Sequence, residues 1–517
     1  MIPFEAPQDD ILFSLRDVAG AKDLPEWDDE LASDILGAFS AFAEGVIAPL
    51  DESGDAQGCR LENGRVRMPD GFGAAFSQLS EMGWQGLTAP EDHGGMGQSA
   101  AIAAMVSEVF SGANHAMQMV CNLVPGAIST LSKFGTEAQQ SEWIPRLAAG
   151  EALSTMCLTE PGAGSDLSRV RTKAVPDGEI WRITGEKIFI SGGDQDMSED
   201  VFHLVLARTG APEDGVKGLS LFLTSKSKAG SAIKVTRIEE KLGLHASPTC
   251  QMAFDAAPAE LVGREGDGLK AMFTVMNHAR IDVSLQGVAH AARAHHIAQT
   301  YAKERKQGRK ADGSEAVLTD HPDVQRMLDE QRALSLGGRG MVHITLVELE
   351  KGDSPALVDF LTPLCKVFCT EAGIRAADLG IQVLGGYGYL TEYRVSQTWR
   401  DARITSIYEG ANAIHEAATA MRGLRVAGGA GADAFDDLIA RLTEEPRVLS
   451  LRETWRKARE TVLASDTPAA LAHEFTQLTC QLFYRAVWAR IGTLREDVET
   501  QRLKERVLSP GLLSAAA

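Results

Sequence analysis

The sequence predicts a mainly α-helical protein with a β domain in the middle of the chain. Apolar residues recur at helical spacing before about residue 150 and again after about residue 267. Between about 155 and 265 the pattern changes to short apolar stretches bounded by Gly, Asp and Pro, which is typical of strands. The chain has 517 residues, enough for about two to four units that each bury a core.

Residues 1–153 are predicted to form an N-terminal helical domain. Its first amphipathic helix begins after Asp28, a residue type suited to an N-cap, and stops at Pro49. A second helical run covers residues 72–82. A loop rich in glycine follows it, and residues 100–150 then return to a helical pattern.

The rest of the chain is predicted to form three further parts. Residues 154–266 form the middle β domain, with strands expected at 180–190, 201–207, 219–224, 233–238 and 250–254. Residues 267–425 form a C-terminal helical bundle, with helices expected at 291–305, 324–350, 356–384 and 412–422. Small residues at 427–434 predict a linker, and helices follow it. We call residues 426–517 the C-terminal extension.

The composition excludes several classes of partner. The 51 basic and 71 acidic side chains give a net charge of −20, which repels nucleic acid and anionic membranes. The longest apolar runs fall short of the roughly 20 residues of a membrane span. The N-terminus carries acids where a secretory signal would carry a basic patch, which predicts a cytoplasmic protein.

The cysteines favour neither disulfides nor a metal site. Their number, seven, is odd, and they form no CxxC pair. Cys365 and Cys369 lie closest together, in an apolar stretch that favours buried thiols over a redox pair. We therefore expect no metal.

Three short stretches carry residue types suited to chemistry. The first, Thr159–Asp166, contains a proline and two glycines, whose freed backbone amides and neighbouring hydroxyls suit a ring edge or a phosphate. The second, Lys187–Gly193, follows about 25 residues later. The third, Ile407–Asn412, places Glu409 between an aromatic residue and a glycine. Taken singly, the first would be a turn and Glu409 a solvated glutamate.

Together, and in this order, the three stretches resemble the acyl-CoA dehydrogenase family over roughly residues 30–420. The stretches Pro90–Gly97, Leu242–Cys250 and Asp353–Ala372, with the helices after 420, resemble the subgroup that contains 3-methylmercaptopropionyl-CoA dehydrogenase. The resemblance implies an N-terminal helical domain, a β-barrel-like domain and a helical bundle. It also implies FAD, held between the β domain and the bundle.

The resemblance assigns roles to individual residues. Phe189 stands where the family usually has a tryptophan against the flavin, and it keeps the apolar face but lacks the indole donor. Ala411 stands where the family often has a threonine, which puts one hydroxyl contact to the cofactor in doubt. The residues implied to contact FAD are Leu158, Thr159, Phe189, Ser191, Arg305, Gln382, Gly385, Gly386, Ala411 and Asn412, and those implied to contact substrate are Ser165, Arg280 and Gly410.

The resemblance implies that Arg305, Gln382, Gly385 and Gly386 reach the FAD pyrophosphate and adenosine of a neighbouring subunit, which requires a homodimer or homotetramer. A guanidinium pairs with charged oxygens, and glycines let backbone approach a pyrophosphate.

The implied reaction is α,β-dehydrogenation of an acyl-CoA thioester. Glu409 removes the α-proton, FAD accepts the β-hydride, and an electron-transferring flavoprotein reoxidises the flavin. Some branches of the family place the base one position before the residue matched by Arg280, but Ala279 stands there. Three alternatives stay open: an oxygen-using oxidase or monooxygenase on the same scaffold, a DNA-associated relative of the adaptive-response type, and a flavin-free scaffold. The net charge of −20 argues against the second.

Overall fold

The computed structural model describes residues 2–509, apart from the side chains of Asn277 and His278. Most of these residues are helical, and short 3₁₀ and π turns join many of the helices. The α-helices are α1 Gln8–Phe13, α2 Asp29–Phe42, α3 Pro49–Gln57, α4 Phe72–Glu81, α5 Ala100–Cys121, α6 Val124–Phe134, α7 Glu137–Ala148, α8 Lys226–Ala229, α9 Gly268–Glu304, α10 Pro322–Lys351, α11 Pro355–Leu384, α12 Val395–Ala402, α13 Asn412–Ala418, α14 Ala430–Leu442, α15 Pro446–Ala464, α16 Ala472–Leu494 and α17 Val498–Leu508.

The strands form one large sheet and two small hairpins. They are β1 Arg60–Glu62, β2 Arg65–Arg67, β3 Ala152–Cys157, β4 Lys173–Asp177, β5 Ile180–Ser191, β6 Asp200–Arg208, β7 Leu219–Ser225, β8 Ile233–Ile238, β9 Thr249–Val262, β10 Lys306–Arg309 and β11 Glu315–Val317. The large sheet has the order β3-β6-β4-β5-β9-β7, with β8 paired to β9. Because β7 also pairs with β6, five of these strands close on themselves as a barrel.

The chain divides into two compact units, and the barrel belongs to the one built from Gly45–Ser99 and Ala113–Ala279. Strand β6 is buried along its whole length, which explains its continuous run of apolar residues in place of an alternating one. The Trp143 ring of α7 packs against the Phe202 ring of β6, with 4.9 Å between ring centres. Helix α7 therefore covers one wall of the barrel.

The other unit contains the chain up to Glu44, Ala100–Gly112 and the chain from Arg280 onward. Its centre is the pair α10 and α11, whose middle turns are buried on all sides. The extension shares their core: Phe360 lies 5.3 Å from Phe435, and Phe368 lies 4.6 Å from Tyr484, between ring centres. The extension thus packs into the same hydrophobic core as the helices of the bundle.

Within residues 2–509 no single helix is both long and apolar enough to cross a membrane. One bent pair, Asp29–Ile47 with Pro49–Gln57, meets that criterion by length and composition.

The predicted fold class is confirmed, with differences in detail. Asp28 caps α2 by accepting hydrogen bonds from Glu30 N and Leu31 N. Pro49 ends the first helical run but also opens α3, because proline is tolerated in the first turn of a helix. The linker prediction is wrong from Ala430 onward, where α14 begins. The boundaries of the four predicted domains stay a prediction.

Candidate active site

Glu409 lies in a short loop between the 3₁₀ turn Arg403–Ser406 and helix α13. Its backbone is left-handed, with φ 54°, and Gly410 follows with φ 97°. A Cβ atom on Gly410 would lie 2.8 Å from the His415 Nε2 atom, so glycine is required there by conformation and by space. A non-glycine residue in this conformation costs about 1–3 kcal/mol, and surrounding contacts must hold it. We call residues 407–412 the Glu409 loop.

Two side chains hold this loop in place: Tyr408 within the loop and His415 in α13, which follows it. His415 Nε2 lies 3.0 Å from the Glu409 carbonyl oxygen. Burial lowers the pKa of His415 to about 4, so the imidazole is neutral and its Nε2–H donates to that carbonyl. The Tyr408 hydroxyl donates a hydrogen bond to Gln286 Oε1 on α9. The backbone around Glu409 is therefore tied to α13 and α9.

Lys366 supplies a third tie from α11. Its side chain is fully buried, and its Nζ atom donates to the Gly410 carbonyl and to Asn412 Oδ1, each at 2.8 Å. Burial lowers the pKa of Lys366 to about 8, while the Glu409 charge opposes that shift. A buried ammonium thus holds the first and third residues after Glu409 and also acts on its carboxylate.

The Glu409 carboxylate has a pKa suited to proton transfer. Burial raises its pKa from 4.5 to about 7, whereas the positive charges of Arg280 and Lys366 lower it and Asp282 raises it. The side chain is half-buried, so part of it stays accessible. A carboxylate with a pKa near neutrality can accept a proton from a weak carbon acid and hold it.

A cavity of about 440 Å³ in the same unit collects the residues expected to reach a neighbouring subunit's cofactor. Arg305, Gly385 and Gly386 line it. Cβ atoms on the two glycines would meet open space, so a ligand can approach the backbone there. The Arg305 guanidinium lies 5.6 Å from the centre of the Tyr387 ring, which also lines the cavity. The guanidinium cation, the aromatic ring face and the accessible glycine backbone are groups that suit a bound dinucleotide.

Gln382 is the remaining residue of that group. It is exposed in the last turn of α11, three residues before Gly385.

The unit that contains the barrel places the other expected flavin residues around the start of one loop. Leu158 and Thr159 follow β3, and the Thr159 carbonyl accepts a hydrogen bond from Ile188 N of β5 at 2.9 Å. Phe189 comes next, with φ 59° and 60% of its surface exposed. An exposed aromatic face at this position fits a flat ring system. Ser191 ends β5.

A buried ion pair between Lys187 and Glu160 stabilises this loop. Lys187 Nζ donates to the Leu158 carbonyl and to Glu160 Oε1, each at 2.9 Å. Glu160 in turn accepts from the backbone N–H groups of Arg171 and Thr172. Ser165, expected near the CoA arm, is exposed further along the loop.

The structure thus groups the expected residues in three places within the units. Gly410 and Asn412 accept hydrogen bonds from Lys366, and the charges of Lys366 and Arg280 act on Glu409. Ala411 occupies the position before the first residue of α13. The sequence analysis missed Lys366. A lone lysine in the apolar stretch 361–369 was the available signal, but that stretch was interpreted through its cysteines.

Comparison with protein families gives three adjacent matches. The N-terminal domain model of acyl-CoA dehydrogenases matches residues 30–151, the middle domain model matches 155–257, and the C-terminal domain model matches 266–424. The extension, residues 426–517, lies entirely beyond the last of them.

Individual relatives agree with these matches. The 3-methylmercaptopropionyl-CoA dehydrogenase of Ruegeria pomeroyi is 42% identical over 466 residues, which cover 84% of this chain and 79% of the relative. The solved butyryl-CoA dehydrogenase from Megasphaera elsdenii is 25% identical with a TM-score of 0.69, over 78% of this chain and 100% of that one.

The fold of the whole chain, extension included, also has a solved counterpart. Caenorhabditis elegans ACDH-11, solved in complex with C11-CoA, superposes with a TM-score of 0.82 over 99% of this chain and 92% of its own, at 20% identity. The family models and the relatives confirm the predicted family: the chain belongs to the acyl-CoA dehydrogenases, which are oxidoreductases.

Proposed function

We propose that Glu409 is the base that removes the α-proton of an acyl-CoA thioester. The observation that carries this proposal is a carboxylate with a pKa near 7 on a loop that three side chains tie down. The C–H bond at Cα breaks, its proton passes to Glu409, and its electrons form the new C=C bond as a hydride leaves Cβ. The Glu409 carboxylate must be ionised before this step.

We propose FAD as the cofactor, on the fit of this chain's own residues. FAD supplies the two-electron acceptor for the hydride that leaves Cβ. In the barrel unit, Leu158, Thr159, Phe189 and Ser191 would hold its ring system. In the helical unit, the cavity at Arg305, Gly385 and Gly386 would hold a pyrophosphate and an adenosine. Gln382, Ala411 and Asn412 complete the proposed cofactor contacts.

The proposed substrate is a short or heteroatom-bearing acyl-CoA. The support is the 42% identity to a relative named 3-methylmercaptopropionyl-CoA dehydrogenase, together with relatives named butyryl-CoA dehydrogenase. Arg280, Ser165 and Gly410 are the proposed substrate contacts. Their roles follow from the resemblance, and for Arg280 also from its action on the Glu409 charge.

Two partners complete the proposal. The cavity at Arg305 would serve the cofactor of a second copy of the chain, so we propose a homo-oligomer. Size-exclusion chromatography with light scattering tests this, and a monomer that retains its flavin would contradict it. We also propose an electron-transferring flavoprotein as oxidant of the reduced enzyme. Rapid reoxidation by air alone would favour the oxidase alternative instead.

The base is tested by anaerobic bleaching of the flavin's visible absorbance. The enzyme is mixed with 3-methylmercaptopropionyl-CoA, butyryl-CoA and longer acyl-CoAs in turn. Glu409→Gln should slow bleaching about 10²- to 10⁴-fold, the usual contribution of a positioned base. Glu460→Gln, an exposed change on α15, is the matched control. Parent-like bleaching by Glu409→Gln would show that another group takes the proton.

A further inference from the structure

The C-terminal extension packs against the helix that follows the Glu409 loop. Helix α16 of the extension lies beside α13, which begins at Asn412. Thr476 Oγ1 on α16 donates to the Glu416 carbonyl of α13 at 3.3 Å. The family model that covers the bundle ends at residue 424, so α16 lies outside it.

A row of side chains joins α16 to carboxylates near the loop. The buried Glu416 carboxylate lies 2.9 Å from His473 Nδ1 and accepts from Gln477 Nε2 at 3.4 Å. The same Gln477 amide donates to Glu371 Oε2 of α11 at 3.3 Å. Glu371 Oε1 accepts from Asn412 Nδ2 at 3.1 Å. Helix α16 therefore reaches the first residue of α13 through one intervening carboxylate.

Asn412 passes this connection on to the loop. Its Oδ1 atom accepts from Lys366 Nζ, which also donates to the Gly410 carbonyl. Hydrogen bonds thus run without a break from Gln477 through Glu371, Asn412 and Lys366 to the carbonyl of Gly410, the residue after Glu409. We call these four residues, with His473, the brace.

We propose that the C-terminal extension positions the Glu409 loop through the brace. The inference rests on the proposed role of Glu409, because the position of its carboxylate affects the reaction only if Glu409 is the base. The left-handed conformation at Glu409 and Gly410 is held only where surrounding contacts determine it, and the brace supplies hydrogen bonds to the Gly410 carbonyl and to the Asn412 side chain. Gln477 and His473 are positioning residues that act through Glu371, Glu416 and Asn412.

A positioning role differs from an electrostatic one in its effect on pH dependence. The charged groups that act on the Glu409 carboxylate are Arg280, Lys366 and Asp282, and Tyr408 lies beside it. All of these lie outside α16. Removing the α16 side chains should therefore slow the reaction without moving the pH at which Glu409 ionises.

The test uses the full-length holoenzyme with His473→Ala and Gln477→Ala combined. Hydrogen–deuterium exchange of the amides at 407–416 should become faster by at least about two- to tenfold, because that is the effect of losing one hydrogen bond and the double variant removes every α16 side-chain hydrogen bond to Glu371 and Glu416 except that of Thr476. Single-turnover flavin bleaching should slow by a similar factor, with an unchanged pH midpoint. Gln481→Ala is the control, because Gln481 lies one turn further along α16 and its Oε1 has no hydrogen-bond partner among the described residues.

Three outcomes would overturn the proposal. Parent-like exchange at 407–416 would mean that the extension does not hold the loop. Faster exchange with parent-like bleaching would mean that the brace orders the loop but does not affect proton removal by Glu409. A shifted pH midpoint would mean an electrostatic action in place of positioning. Since exchange needs no turnover, the brace is judged separately from the Glu409→Gln result; if the double variant does not fold, Gln477→Ala alone replaces it.

Discussion

At the scale of single residues, the charge of Glu409 is set by opposing influences. Burial disfavours its ionised form, and the cations Arg280 and Lys366 favour that form. The balance leaves the pKa at about 7, between an ordinary glutamate and a fully buried one. The sequence alone could place Glu409 in its motif, but it could not show this balance, because the cations come from distant parts of the chain.

The pH dependence of flavin reduction should report this balance. Because only ionised Glu409 accepts a proton, the second-order rate constant should rise with pH through about 7. Lys366→Met removes a positive charge that lowers the Glu409 pKa, so the midpoint should move upward, by about one unit. The measurement is stopped-flow bleaching across pH, with thermal melting to confirm folding. A midpoint that stays in place would remove Lys366 from the electrostatics of the base.

Arg305 should determine how firmly the cofactor is held. A hydrogen bond to a charged group contributes about 1.5–3 kcal/mol, so Arg305→Ala should weaken FAD binding about tenfold or more. The measurement is titration of FAD into flavin-depleted enzyme. Arg309→Ala on β10, where the guanidinium donates to the Gly313 carbonyl, is the matched control. Equal FAD affinity in the two variants would show that the cavity at Arg305 serves another ligand.

At the scale of elements, the sequence predicts the helices and strands that have a clear local pattern. It misses those whose structure depends on packing against other segments. Strand β6 was predicted from its apolar run, and α2 from Asp28 and its helical spacing; the structure confirms both. Strand β3, Ala152–Cys157, was missed, although Gly150 marks a turn between it and α7. The residues 430–434 were predicted as linker because small residues resemble one, but they pack closely in α14, where Gly431 approaches the Ala356 carbonyl.

Small residues also fix how α10 meets α16. A Cβ atom on Gly337 would lie 2.3 Å from the Tyr484 ring and 2.5 Å from Trp488 Nε1, both fully buried. Gly337→Ala should therefore lower the free energy of unfolding by about 1–3 kcal/mol. Gly338→Ala is the control, because its Cβ would make ordinary contacts at 3.4 Å or more and alanine favours a helix. Thermal unfolding of the two variants measures the difference, and equal loss in both would contradict close packing at Gly337.

At the scale of the whole molecule, the family and its order of helical and β segments could be predicted from separated motifs. Glu409, Thr159 and Phe189 stand in stretches that keep their order and spacing over most of the chain. The role of the extension could not be predicted, because its function lies in contacts that no local pattern encodes. In the sequence Gln477 is an ordinary polar residue of a helix, and only the structure shows its hydrogen bond to Glu371.

The extension should also be necessary for the bundle to fold. The butyryl-CoA dehydrogenase of Megasphaera elsdenii is covered completely by 78% of this chain, so the family scaffold can stand without the remainder. In this chain, however, Phe360, Phe368 and Gly337 pack directly against aromatic residues of the extension. A chain that ends at Gly429 would expose this surface, and large apolar patches of this kind lead to aggregation.

We therefore expect the truncated chain to show no cooperative thermal transition, or to aggregate, by circular dichroism and light scattering. The full-length double variant of His473 and Gln477 should keep its transition, because those side chains lie at the edge of this core. A truncated chain that melts like the parent would show that the bundle is complete at Gly429, and that the extension serves the Glu409 loop alone.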